Sequence, residues 1–124
     1  MICLKTMGVK MNETILSIAK WSEETFPDAS LEGQVEKWYD EQKEFIDSQD
    51  PEEFVDMFIV ACGIARFSIE NAIPKFAVVF NNLIGEEWGK FQELVNKKMA
   101  VNRNRVWAKG NGNYQHIEGV QDEN

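Results

Sequence analysis

A chain of 124 residues that is 44% apolar and 11% aromatic can bury one core without disulfide or metal staples, and is too apolar to be a disordered segment. Its formal net charge of -8 argues against general binding to nucleic acid or to an anionic membrane surface, because the field of the whole chain repels polyanions. The two cysteines, Cys3 and Cys62, stand far apart in unlike contexts, so they offer neither a disulfide framework nor a metal-ligand spacing, and Cys62 reads as core.

The opening MICLKTMGVK has too short an apolar run for a signal peptide, and Met7 and Met11 are later candidate starts. No segment reaches the ~18–20 apolar residues of a membrane span. A soluble cytoplasmic protein is expected, of one domain over 1–124, with its core at about 12–108 and loose ends at 1–11 and 110–124.

In chain order, Met11, Ile15, Ile18 and Ser22 recur at helical spacing, with Leu16, Ala19 and Phe26 widening the stripe until Pro27 closes it. Ser30 is an N-cap for LEGQVEKWYDEQKEFIDS, where Leu31, Val35, Trp38 and Phe45 lie on one side and Glu32 falls in the first turn. Asp50 caps a third helix, Pro51 takes the first-turn position that tolerates it, and Glu53 follows three after the cap, as in a capping box. This helix is predicted to reach about Asn71. Pro74 interrupts the pattern, and Phe76, Val79, Phe80 and Leu83 give a short fourth run that Gly85 ends. A fifth helix begins near Glu86 and runs to about Val101 through Trp88, Phe91, Leu94 or Val95, Lys98 and Met99. Beyond it, NGNYQHIEGVQDEN has the composition of a loose tail, in which Tyr114 and His116 read as incidental. No long segment alternates as a half-buried strand does, so the expected class is all-α, a bundle of four to five helices.

Asp56 is the one charge between Phe54 and Ala65, a stretch that otherwise reads as protein interior. Glu53 lies one turn before it, and Met57, Val60, Ile64 and Phe67 share its face. On the preceding helix Glu41 and Glu44 are again three apart, and Glu41 borders the apolar stripe. The short SQD turn makes the two helices antiparallel neighbours, so the four carboxylates can converge. Four such groups in a partly dry place repel one another unless a cation offsets them, and all-oxygen ligands suit Mg²⁺, Mn²⁺ or Ca²⁺. A di-iron bundle fits less well, since its Glu-x-x-His pairs are missing. The plain alternatives are solvated helix charges for Glu41 and Glu44, a cap for Glu53 and a dipole-favoured first-turn carboxylate for Asp56.

The segment KKMAVNRNRVWAK carries Lys97, Lys98, Arg103, Arg105 and Lys109 and no acidic residue, which leaves eight basic against 21 acidic residues elsewhere. Lys and Arg here can take one part of a phosphate chain while metal-bound carboxylates hold another, with Trp107 and Asn102 adding stacking or hydrogen bonds. The plain alternative is a helix C-terminus whose dipole favours cations.

Taken together, SLEGQVEKWYDEQKEF followed by PEEFVDMFIVACGIARF resembles the MazG-like family of all-α nucleoside triphosphate pyrophosphohydrolases, marked by E-E-x-x-E on one helix and E-x-x-D on the next. Here these read Asp40-Glu41-Gln42-Lys43-Glu44 and Glu53-Phe54-Val55-Asp56. The likeness extends over roughly Glu13 to His116, and with TFPDASLEGQ and KMAVNRNRVW it is greatest to the dATP/dGTP diphosphohydrolase-like branch of phages and prophages. The resemblance implies Mg²⁺-dependent cleavage of a nucleoside triphosphate, a dNTP in this branch, to the monophosphate and pyrophosphate by an activated water, with Mn²⁺ as the alternative ion. It assigns Glu41, Glu44, Glu53 and Asp56 to the metal and the catalysis, and Lys98, Asn102, Arg103 and Arg105 to the phosphate side. Trp107 joins this substrate-binding set, and Trp21 or Trp38, on aromatic character alone, would line a base pocket. It also implies a homodimer or homotetramer, with which the all-round apolar third helix agrees.

Two features depart from the family pattern. Asp40 stands where a Glu is usual, and IPKFAVVFNNLIGEEWGKFQE is longer than the usual link. Two competing readings remain: a non-catalytic acidic helical interaction protein, and an enzyme acting on another pyrophosphate-linked nucleotide such as phosphoribosyl-ATP.

Overall fold

The computed structural model describes residues 12–81, 88–105, 107–109 and 114–116. Among them run helices α1 (Ile15–Thr25), α2 (Leu31–Ser48), α3 (Pro51–Ala65), α4 (Ile69–Asn81) and α5 (Trp88–Asn104), then strands β1 (Trp107–Lys109) and β2 (Tyr114–His116). The expectations placed on Cys3, Met11, Leu83, Gly85 and Glu86 lie outside the described residues. The class is helical, as the periodicity predicts, with one short addition: the segment read as a loose tail contributes β2, which pairs antiparallel with β1 in the register Trp107↔His116.

Capping chemistry sets most of the boundaries. Thr14 and Ser17 form a reciprocal capping box, Ser17 N–H to Thr14 Oγ1 at 3.0 Å and Thr14 N–H to Ser17 Oγ at 2.8 Å, so α1 starts at Ile15. Ser30 caps α2 by accepting the Gly33 N–H at 3.0 Å, and Asp50 caps α3 by accepting the Glu52 N–H at 2.9 Å, both where the sequence places them. The Asp50 N–H, which a capping-box Glu53 would bind, donates instead to Ser48 Oγ at 3.1 Å, leaving the Glu53 carboxylate for another task. The third helix stops at Ala65 rather than near Asn71. Ser68 ends it by capping α4, accepting the Asn71 N–H at 3.2 Å, and α4 then carries Pro74 within it instead of starting after it.

Each of the other four helices packs chiefly against α3. From Met57 to Ile64 it is buried without a break, and Ala61, Cys62 and Ile64 have no exposed surface at all. Its all-round apolar character is thus satisfied within one chain, so it gives no support to the expected dimer or tetramer. Phe58 stands at the centre of an aromatic group, with Phe76, Phe80 and Phe91 centroids at 5.7, 6.0 and 5.4 Å, joining α3 to α4 and α5.

Two polar locks fix α1. At its C-terminus the Arg66 guanidinium donates to the Ser22 carbonyl (2.7 Å), Ser22 Oγ (3.0 Å) and the Phe26 carbonyl (3.1 Å), placing a cation where helix carbonyls end. At its N-terminus, α5 grips the backbone of Glu13 through Asn96 Oδ1 (2.9 Å) and Gln92 Nε2 (3.0 Å), and Arg103 binds the Glu13 carboxylate with two hydrogen bonds of 3.0 and 3.1 Å.

Candidate functional site

Only Gln49 and Asp50 separate α2 from α3, and Gln49 takes the left-handed conformation (φ 58°) that reverses the chain. Phe45 then stacks on Phe54 at 4.2 Å beside the turn. With the helices antiparallel and in this register, Glu41, Glu53 and Asp56 each bring a carboxylate oxygen within 4.8 Å of the others. Glu44, exposed on the same face, completes the acidic rim.

The cluster is electrostatically unsettled. Burial, then the charges of Asp56 and Glu44, push the Glu41 carboxyl up to about 8, and the charge of Lys37 offsets this only in part. Burial and the neighbouring Asp56 raise Glu53. Burial raises Asp56 too, although Lys98 Nζ, 3.4 Å from its Oδ1, pulls the other way. Glu41 Oε1 and Glu53 Oε1 are buried without a hydrogen-bond donor among the described residues. Buried carboxylate oxygens with no protein donor, in an all-oxygen set, fit a hard divalent cation such as Mg²⁺ or Mn²⁺, held by Glu41, Glu53 and Asp56.

Beside the cluster opens a cavity of about 310 Å³. One side is polar: Glu41, Glu44 and Lys37 from α2, Asp56 from α3, Lys98 from α5, and Arg105 just after α5. The other side is aromatic. Trp21, Phe26 and Trp107 form a triangle of edge-to-face contacts at 5.1, 5.0 and 6.2 Å, and β1 is what brings Trp107 there. Two buried amides, Gln34 and Asn102, also line it. Asn102 Oδ1 has no donor among the described residues, although the Asn102 carbonyl accepts Trp107 Nε1–H at 3.2 Å.

Of the residues singled out in the sequence, Glu41, Glu44, Asp56, Lys98, Asn102, Arg105, Trp107 and Trp21 line this cavity, and Glu53 stands behind it in the carboxylate cluster. Two do not join them. Trp38 is 2% exposed, packed beside Tyr39 and beneath Lys75 of α4, so it is core rather than a base-pocket wall. Arg103 faces away and is held by Glu13. Sequence reasoning missed Gln34 and Lys37, although Gln34, Lys37, Glu41 and Glu44 follow the 3-4-3 spacing of one helix face. It also missed Gly63, where a Cβ would come within 2.7 Å of Gln34 Oε1.

Comparison with family models, curated proteins and solved structures finds no match. Fold and cavity define a helical protein with a partly buried cluster of carboxylates beside a cavity, and no described helix is long and apolar enough to cross a membrane.

Proposed function

We propose that the protein is a Mg²⁺-dependent nucleoside triphosphate pyrophosphohydrolase that converts a dNTP to its monophosphate and pyrophosphate. The observation that carries this reading is the meeting of Glu41, Glu53 and Asp56 within 4.8 Å, with two donorless buried oxygens, at the edge of a cavity that Lys98 and Arg105 also line. The MazG-like motifs support it by resemblance, on the same residues.

When bound, the divalent ion would supply positive charge against the triphosphate and the departing pyrophosphate. The chain's own groups do the rest. Trp21, Phe26 and Trp107 offer an apolar slot for a base, and Gln34 and Asn102 offer amides to its edge or to the sugar. Lys98 and Arg105 hold phosphate oxygens. Water attacks phosphorus, the bond between phosphorus and the bridging oxygen breaks, and pyrophosphate departs with that oxygen. A cluster carboxylate takes the proton of the water. The dimer or tetramer implied by the family likeness belongs to the same proposal, and sedimentation measures it.

The test is a panel of dNTPs and NTPs with Mg²⁺, read separately for pyrophosphate and orthophosphate. Pyrophosphate from at least one substrate, abolished in Asp56→Asn, is the expected result. Orthophosphate release, or undiminished turnover in the variant, would sink the assignment.

A further inference from the structure

The face of α2 that lines the cavity is ordered by chemistry. Along α2 the lining residues run Gln34, which meets the same Gly63 position as Ser22 beside Trp21, then Lys37, then Glu41 and Glu44 of the carboxylate end. With a helix rise of ~1.5 Å per residue, Lys37 is roughly 4.5 Å along the axis from Gln34 and roughly 6 Å from Glu41. The Lys37 charge also acts on the Glu41 carboxyl, so its ammonium lies within electrostatic reach of the carboxylate end of the cavity wall it shares with Gln34.

The other cation on the polar wall that α5 supplies, Lys98, already faces Asp56 at 3.4 Å. Lys37, half-buried, makes no ion pair among the described residues. A lysine one turn ahead of a glutamate is also the weaker orientation for a helix-stabilising pair, so support of α2 alone is a poor account of its place.

Resting on the pyrophosphohydrolase reading, we propose that Lys37 is the contact for the phosphate attached to the nucleoside, holding it between the base slot and the carboxylate cluster. The departing pyrophosphate belongs to the cluster, Lys98 and Arg105. Lys37 therefore serves one product and not the other.

Calorimetric titration of the four deoxynucleoside monophosphates and of inorganic pyrophosphate, each with Mg²⁺, tests this on the full chain, on Lys37→Gln and on Lys37→Arg. Lys37→Gln should weaken the monophosphate that binds best by about tenfold or more, the worth of one charge-assisted hydrogen bond. Pyrophosphate should stay within about twofold, which also shows that the variant is folded, and Lys37→Arg should recover most of the monophosphate affinity. Unchanged monophosphate binding in Lys37→Gln, or equal weakening of both ligands, overturns the role of Lys37 and leaves the enzymatic reading standing. A native chain that binds neither ligand overturns both.

Discussion

Helix α5 meets a buried or half-buried carboxylate twice, and the two meetings differ in kind. Arg103 closes on Glu13 with two hydrogen bonds, and although partial burial alone would raise the Glu13 carboxyl, the bonds from Arg103 and Ser17 outweigh it and hold it below the usual range. Lys98 reaches Asp56 with a single contact of 3.4 Å, and Asp56 stays raised because burial, with a smaller push from Glu44, outweighs Lys98 and Arg105. The first region is a finished pair that ties α5 to the start of α1. The second is a group of like charges that Lys37, Lys98 and Arg105 offset only in part, an arrangement that the proposed cation would complete.

The strongest way to break this contrast is Asp56→Asn. On the proposed reading it removes a cation ligand, so turnover should fall by ~10³-fold or more, a loss of about 4 kcal/mol in transition-state stabilisation. It also removes a like charge from a crowded place, so the melting temperature of the metal-free protein should hold or rise. Calorimetry beside the kinetic assay reads both. A metal-free protein that unfolds on this change would mean that Lys98 and Asp56 form a structural pair like Arg103 and Glu13.

pH separates the two regions by sign. Glu41, raised from 4.5 to about 8, and Glu53 and Asp56, also raised, make the folded chain bind more protons than the unfolded one. Metal-free stability should therefore fall as pH rises from about 5 to about 8. Discounted for partial exposure to water, the loss is on the order of 1–2 kcal/mol, or about 5 °C in melting temperature. Mg²⁺ competes with those protons, so its stabilising effect should grow over the same interval. Glu13, held low, contributes in the opposite sense: its stability is present above the ordinary carboxyl range and is lost as pH falls through its depressed value. Melting curves at pH 5, 6, 7 and 8 with and without Mg²⁺ check this, and a metal-free protein most stable at pH 8 would contradict it.

A smaller effect probes how closely the cavity wall is fitted. At Gly63 a Cβ would meet Gln34 Oε1 at 2.7 Å and Ser22 Oγ at 3.2 Å. The first is the far end of a flexible side chain, and Ala favours a helix over Gly by about 1 kcal/mol, so Gly63→Ala should leave stability within ~1 kcal/mol of the original. Gln34 must swing into the cavity to make room. Nucleotide affinity should drop by about tenfold, with metal binding to the cluster retained, and titrations of Mn²⁺ and of nucleotide separate the two.

The acidic half of the site was legible in the sequence because it depends on local signals. Ser30 and Asp50 are caps at fixed offsets, the turn between them is short, and helical spacing then puts Glu41 opposite Glu53 and Asp56. The aromatic half was not legible. Trp107 enters the cavity on a strand whose partner, Tyr114–His116, looks like tail, and a three-residue strand is too short to show alternation. Ser68 is as good a cap as Ser30, but the apolar run through Ile64 and Phe67 masks it. Trp38 and Trp21 look alike in sequence, and only packing puts one under Lys75 and the other on the cavity wall. Arg103, two residues from Arg105, shares its charge but not its direction, since Arg103 lies within α5 and Arg105 in the bend that follows it.

That last difference carries the smallest expected effect. If Arg103 and Glu13 form a structural tie, Glu13→Gln should cost about 1 kcal/mol of stability, because the bidentate pair is lost while Arg103 stays 40% exposed and keeps its hydration. Turnover at saturating nucleotide should stay within about twofold, since Glu13 does not line the cavity. The backbone bonds of Glu13 to Asn96 and Gln92 survive the change, so α1 keeps its position and the loss stays small. High salt should reduce the difference between the two proteins, as screening weakens an exposed pair. Denaturant melts at low and high salt, run beside the pyrophosphate assay, measure all three. A large fall in turnover with little change in stability would instead place Arg103 on the substrate, as the family likeness implies, and Glu13 would then be the residue that aims it.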